Sequence, residues 1–341
     1  MEIADRTVPP AADAPPDADA PPGADAPIDA DVPDSPLPDR PDGRRTGWAG
    51  WLRRGLLVVV LGFAVWAIVR NRTSLVAALA DLSPWAVLGS FVAALLAMVA
   101  SLFMWRAVLA DLGAPLSVKD GARVFYLSQL GKYVPGGIWS IASQVALTRE
   151  LRVPRRTSLA GGVLTIAVST GVGLIVAGAM LPFAAPEAAR KYWWIMLAIP
   201  VFLVALHPPV LGWLINRALR VIGRPPLPRA PTRAGLLRAA AWQLVVWLML
   251  GVHAWLLVVG VGGPVGRSLP VAIAGYALAY SIGLLALMPA GAGIRDLALI
   301  IAFGTVIPGP AALAVALVSR TLLVVVDLLM AGIQRLVRRK P

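Results

Sequence analysis

Lys132 and Tyr133 stand just before Pro135-Gly136-Gly137 in one largely apolar stretch, and Arg295 and Asp296 stand just after Pro289-Ala290-Gly291-Ala292-Gly293 in another. Proline removes a backbone donor and glycine loosens a helix, so each run interrupts its helix and frees polar backbone groups. A helix restarting near Gly136 would aim free N–H groups outward, and a phosphate beside Lys132 and Tyr133 would satisfy them. Arg320 and Asp327 lie inside the last apolar stretch, seven residues apart and so on nearly one helix face. A charge at that depth is costly, which makes function the default reading: Arg320 is placed either to hold a lipid phosphate or to be neutralised by Asp296 or Asp327. Plainer readings of the same residues are a hairpin turn at Pro-Gly-Gly and helix-capping charges at Arg295 and Asp296.

The other polar residues point elsewhere. Arg106 follows Met104 and Trp105 and reads as an interfacial anchor, His207 and His253 as polar residues facing a helix bundle, and Trp193-Trp194 as part of an aromatic belt. Two histidines and no cysteine leave no metal site and no thiol chemistry to expect. No GxxxxGK[ST], HExxH or GxSxG signature occurs, so no cofactor is expected, and any movement of substrate is passive or gradient-coupled.

The elements that must position these residues are membrane helices. The chain has 341 residues, 58% of them hydrophobic and only 14% charged, with a mean hydropathy of +0.75. This is the composition of an all-α polytopic membrane protein. Residues 1–43 hold 11 of the 18 acidic residues but only Arg6 and Arg40, leaving 29 basic against 7 acidic residues, a net +22, in the remainder. The Asp-Ala-Pro-rich segment 1–43 reads as a disordered acidic tail, and 44–341 as the transmembrane domain. The basic excess suits loops beside anionic lipid, with membrane lipids and not nucleic acid as the partner.

A bilayer core of about 30 Å needs roughly 20 apolar helical residues. Such stretches run Trp85–Trp105, Ser158–Pro186, Tyr192–Asn216, Ala239–Gly266 and Ser268–Ile294; Gly55–Val69 is shorter, and Leu297–Ile307 and Ala311–Gln334 follow near the end. Residues 121–148 carry Arg123 and Lys132 and are read as re-entrant. About eight spans then place both termini in the cytoplasm and divide the basic residues into 23 inside and 5 outside, with Arg320 in the membrane. A full crossing by 121–148 would put the clusters Arg149–Arg156 and Arg217–Arg238 outside, against the positive-inside bias.

The run Leu127-Ser-Gln-Leu-Gly-Lys-Tyr-Val-Pro-Gly-Gly-Ile-Trp139 resembles the first signature of the lysylphosphatidylglycerol synthase transmembrane-region family, the flippase-like domain proteins. Pro289–Asp296 is similar to its second, Pro-Gly-Gly-x-Gly-x-x-Glu, with Ala290 in place of a glycine and Asp296 in place of the glutamate. The resemblance implies an inner-membrane lipid translocator without the soluble aminoacyl-transfer domain of lysyl-transferring members, and therefore not an enzyme. Lys132, Tyr133, Pro135, Gly136, Gly137, Arg295, Asp296 and Arg320 are its expected contacts with the substrate, an anionic phospholipid or a lipid-linked head group. The competing readings are a non-transporting scaffold for an envelope lipid or glycan enzyme, and a polytopic transferase with an unrecognised site.

Overall fold

The computed structural model describes residues 82–133, 139–191, 193–221, 223, 226–227, 229–285 and 293–338. The acidic tail, the expected span Gly55–Val69, and Pro135, Gly136 and Gly137 lie outside the described residues, as do Pro289 to Ala292.

Among the described residues every regular element is helical. Helix α1 (Pro84–Asp111) starts with proline at its first turn, where a missing donor costs nothing. Helix α2 (Val118–Gln129) is capped by Ser117, whose hydroxyl accepts from the Asp120 N–H at 3.0 Å, and it runs into a 3₁₀ turn, Leu130–Tyr133. Beyond the first break come α3 (Trp139–Arg149), the long α4 (Arg155–Ala184) and the short α5 (Pro186–Lys191). A second 3₁₀ turn (Trp193–Leu197) leads to α6 (Ala198–Ala205) and α7 (Pro208–Val221). The last four are α8 (Arg233–Gly260), α9 (Val265–Leu285), α10 (Ile294–Phe303) and α11 (Gly309–Arg338).

Four described helices, α1, α4, α8 and α11, are long and apolar enough to cross a membrane, or up to five crossings if α6 and α7 count as one. At 1.5 Å per residue the 28 residues of α8 reach about 42 Å, more than a bilayer core requires. The apolar stretch 192–216 is no continuous helix: it breaks at Leu206-His207, and the pieces Ile199–Ala205 and Pro208–Val221 meet at 77°. The stretch 297–307, read from sequence as a short span, becomes α10, whose 10 residues cover about 15 Å, half the thickness of the core.

Two short helices flank the first break. α2 and α3 have 12 and 11 residues, too few to cross, and they pack against one another. A Cβ at Gly131 would lie 2.7 Å from Ser140 N and from Trp139 C, backbone atoms that cannot yield. Glycine is what lets residue 131 touch the start of α3, so the two short helices lie side by side.

The core lies between α1 and α8, with α4 and α9 packed against them. Asp111, at the end of α1, accepts from Thr232 N at 2.8 Å and Thr232 Oγ1 at 2.5 Å, while Thr232 Oγ1 caps α8 through the Gly235 N–H at 3.0 Å. The carboxylate meets the positive end of α8 and fastens the central helix pair. Large apolar side chains such as Trp85, Val201 and Leu328 face outward, as lipid-facing positions must.

Candidate functional site

The site forms where α11 passes both breaks. The 3₁₀ turn after α2 ends at Lys132 and Tyr133, the last described residues before the first break. Lys132 Nζ lies 2.7 Å from Asp327 Oδ2 on α11, and the Tyr133 hydroxyl donates to that same oxygen. Asp327 is wholly buried, while Lys132 keeps 30% of its side chain open.

The second break ends at Gly293, whose φ of +86° favours glycine. Asp296 stands three residues on, in the first turn of α10, and its carboxylate accepts from Gly293 N at 3.2 Å. A negative charge suits that helix end. The same carboxylate oxygen forms an ion pair with Arg320, two turns before Asp327 on α11. Thus α11 gives a carboxylate to the first break and a guanidinium to the second.

Arg295 belongs to neither pair. It is buried, donates from Nη2 to the Tyr276 hydroxyl at 3.3 Å, and its guanidinium carbon lies 5.5 Å from the centre of that ring. Among the described residues its Nε has no partner, and Asp296 Oδ1 and Asp327 Oδ1 are buried without one as well. Lys132, Arg295 and Arg320 against Asp296 and Asp327 leave the group with one positive charge in excess.

A cavity of about 130 Å³ opens onto this group. Lys132, Arg295, Asp327, Thr165, Gln243 and Trp247 are among the residues that line it. Trp247 Nε1 and Thr165 Oγ1, on two of these lining residues, are buried with no described partner. Buried donors without partners and an uncompensated guanidinium are what an anion with further oxygen atoms would satisfy.

The structure therefore gathers Lys132, Tyr133, Arg295, Asp296 and Arg320 into one linked cluster. Of the two partners expected for Arg320, it takes Asp296, and Asp327 goes to Lys132 instead. The sequence reading did not place Asp327, Tyr276, Gln243 or Trp247 in the site. Spacing signalled only Asp327, since seven residues from Arg320 put it on the same face. Arg106 is a brace and lies outside the site: its Nε and Nη2 donate to the Leu116 carbonyl at 3.1 and 2.7 Å, tying the loop after α1 back to that helix.

Over residues 54–331 the sequence matches the family described as Lysylphosphatidylglycerol synthase TM region. That span covers about four fifths of the chain. No curated protein matches it.

Proposed function

Because the chain belongs to the lysylphosphatidylglycerol synthase TM region family, we propose that this multi-pass membrane protein moves an anionic lipid between leaflets by holding its head group in the cavity at Lys132 and Arg295. Family membership supports a lipid-related role, and the charge balance supports the anion. One net positive charge remains in the cluster, and it resides on a buried Arg295 whose Nε lacks a described partner. Leaving such a charge uncompensated costs several kcal/mol, and a singly charged phosphodiester brings the cluster to neutrality. A zwitterionic head group brings no net charge, and a dianion overshoots.

In this reading the protein is a translocator of the inner membrane and not a catalyst. Its basic loops and both termini face the cytoplasm, and the head group enters through the re-entrant hairpin while the acyl chains stay in lipid. The test is leaflet exchange of fluorescent phospholipids in liposomes holding the purified protein, beside Arg295→Gln and empty vesicles. Faster exchange of phosphatidylglycerol than of phosphatidylcholine, lost in the variant, is the expected result. Exchange no faster than in empty vesicles for every lipid would overturn the reading and favour a scaffold for an envelope enzyme.

A further inference from the structure

From Arg295 and Tyr276 at the cavity wall, a line of buried hydrogen bonds crosses the bundle. Arg295 on α10 donates to the Tyr276 hydroxyl on α9, which lies 3.2 Å from Ser319 Oγ on α11. Ser319 Oγ is 2.8 Å from Nε2 of His253 on α8. The other ring nitrogen, Nδ1, is 3.0 Å from the backbone oxygen and 2.7 Å from the hydroxyl of Ser90 on α1. Ser90, His253, Ser319 and Tyr276 are all at most 1% exposed, and the line joins five helices.

The direction of these bonds follows from what each atom can do. The Ser90 carbonyl only accepts, which favours a proton on Nδ1, whereas the Ser90 hydroxyl can serve either tautomer; with the proton on Nδ1, Nε2 is left with a lone pair. Ser319 then donates its hydroxyl hydrogen to Nε2, Tyr276 donates to Ser319 Oγ, and the Tyr276 oxygen keeps its lone pairs for Arg295. In this order the Ser319 and Tyr276 hydroxyl hydrogens each have one acceptor, and each of these dipoles turns its negative end toward the guanidinium. With the proton on Nε2 instead, the Nδ1 lone pair would accept from the Ser90 hydroxyl but would also face the Ser90 carbonyl. The Ser319 hydrogen would turn to the Tyr276 oxygen and compete there with Arg295.

We propose that His253 is a positioning residue: neutral and protonated on Nδ1, it sets the direction of this line and so holds the Arg295 guanidinium at the cavity wall for an anionic head group. The proposal rests on the reading of Arg295 as the anion's ligand. It also gives His253 a task that ordinary interior packing would not require, since Phe would fill a buried site on α8 without polar partners.

The test uses ¹⁵N-histidine NMR of the full chain in phosphatidylcholine bilayers with and without phosphatidylglycerol. A His207→Gln background leaves His253 as the single signal, because the chain has only two histidines. Without anionic lipid the signal should show the neutral, Nδ1-protonated ring; the opposite tautomer or an imidazolium would overturn the proposal. Adding phosphatidylglycerol should shift the Nε2 resonance, and Tyr276→Phe should abolish that shift and weaken phosphatidylglycerol binding about tenfold, the scale of one hydrogen bond to a charged group. His253→Phe should lose the same affinity and His253→Gln, which retains an acceptor, should recover part of it. Binding by Tyr276→Phe equal to that of the wild type would overturn the positioning role while leaving the head-group reading in place. If Arg295→Gln also binds as well as the wild type, the head-group reading itself fails, and the positioning role with it.

Discussion

Lys132 and Asp327 meet at 2.7 Å, joining the turn before the first break to the middle of the last long helix. Asp327 has no exposed side-chain surface, so Lys132 and Tyr133 are what compensate its charge, and Oδ1 remains without a described partner. A buried carboxylate stripped of its cation is strongly destabilising, whereas removing both partners together is much milder.

Lys132→Ala is therefore expected to lower stability by about 3 kcal/mol, and Lys132→Ala with Asp327→Asn to recover most of that loss. Thermal unfolding of the four proteins of this double-mutant cycle in one detergent measures the coupling directly. Additive losses would mean that the pair does not act as a pair.

Arg320 and Asp296 form the corresponding pair at the second break, and Asp296 also caps α10. Arg320→Ala is expected to abolish anionic lipid exchange at unchanged expression, because the freed Asp296 competes with phosphate for Arg295. Asp296→Glu retains the charge that suits the helix end, and its exchange rate should stay within about threefold of the wild type, a difference of under 1 kcal/mol.

Gly131 lies against the backbone of Trp139 and Ser140, with no side chain there to move aside. Gly131→Ala should push the turn after α2 away from the start of α3 at a cost of about 1–3 kcal/mol. Enhanced proteolysis between α2 and α3 at unchanged far-UV circular dichroism is the expected result; wild-type resistance would show that the contact is not needed.

The chain has no cysteine, which makes single-cysteine labelling clean. With an impermeant maleimide, Arg156→Cys and Arg217→Cys should react only from the cytoplasmic face and Arg267→Cys only from the opposite face. Labelling of Arg156→Cys from outside would mean that residues 121–148 cross the membrane.

The membrane class and the long apolar helices were legible in the sequence because hydropathy is a local signal. Lys132, Tyr133, Arg295, Asp296 and Arg320 stood out for the same reason, as charged or polar residues beside breaks in apolar surroundings. The partner exchange was not legible. From spacing alone Asp327 and Asp296 were equivalent candidates for Arg320, and only the approach of the α2 turn to α11 assigns each carboxylate. The break at Leu206-His207 was hidden because no change in hydropathy marks a 77° bend, although Pro208-Pro209 directly follows it. Tyr276, Ser319 and His253 belong to three helices remote in sequence, and no periodicity brings three such residues together.

Because Arg320 and Asp327 share one helix two turns apart, Lys132 and Asp296 are tied to a common element. Rotating α11 by a single residue's angle, 100°, would withdraw its carboxylate from Lys132 and its guanidinium from Asp296 in the same stroke. The two ion pairs thus work like two pegs on one shaft, and the turn at Lys132 and the start of α10 are both fastened to it.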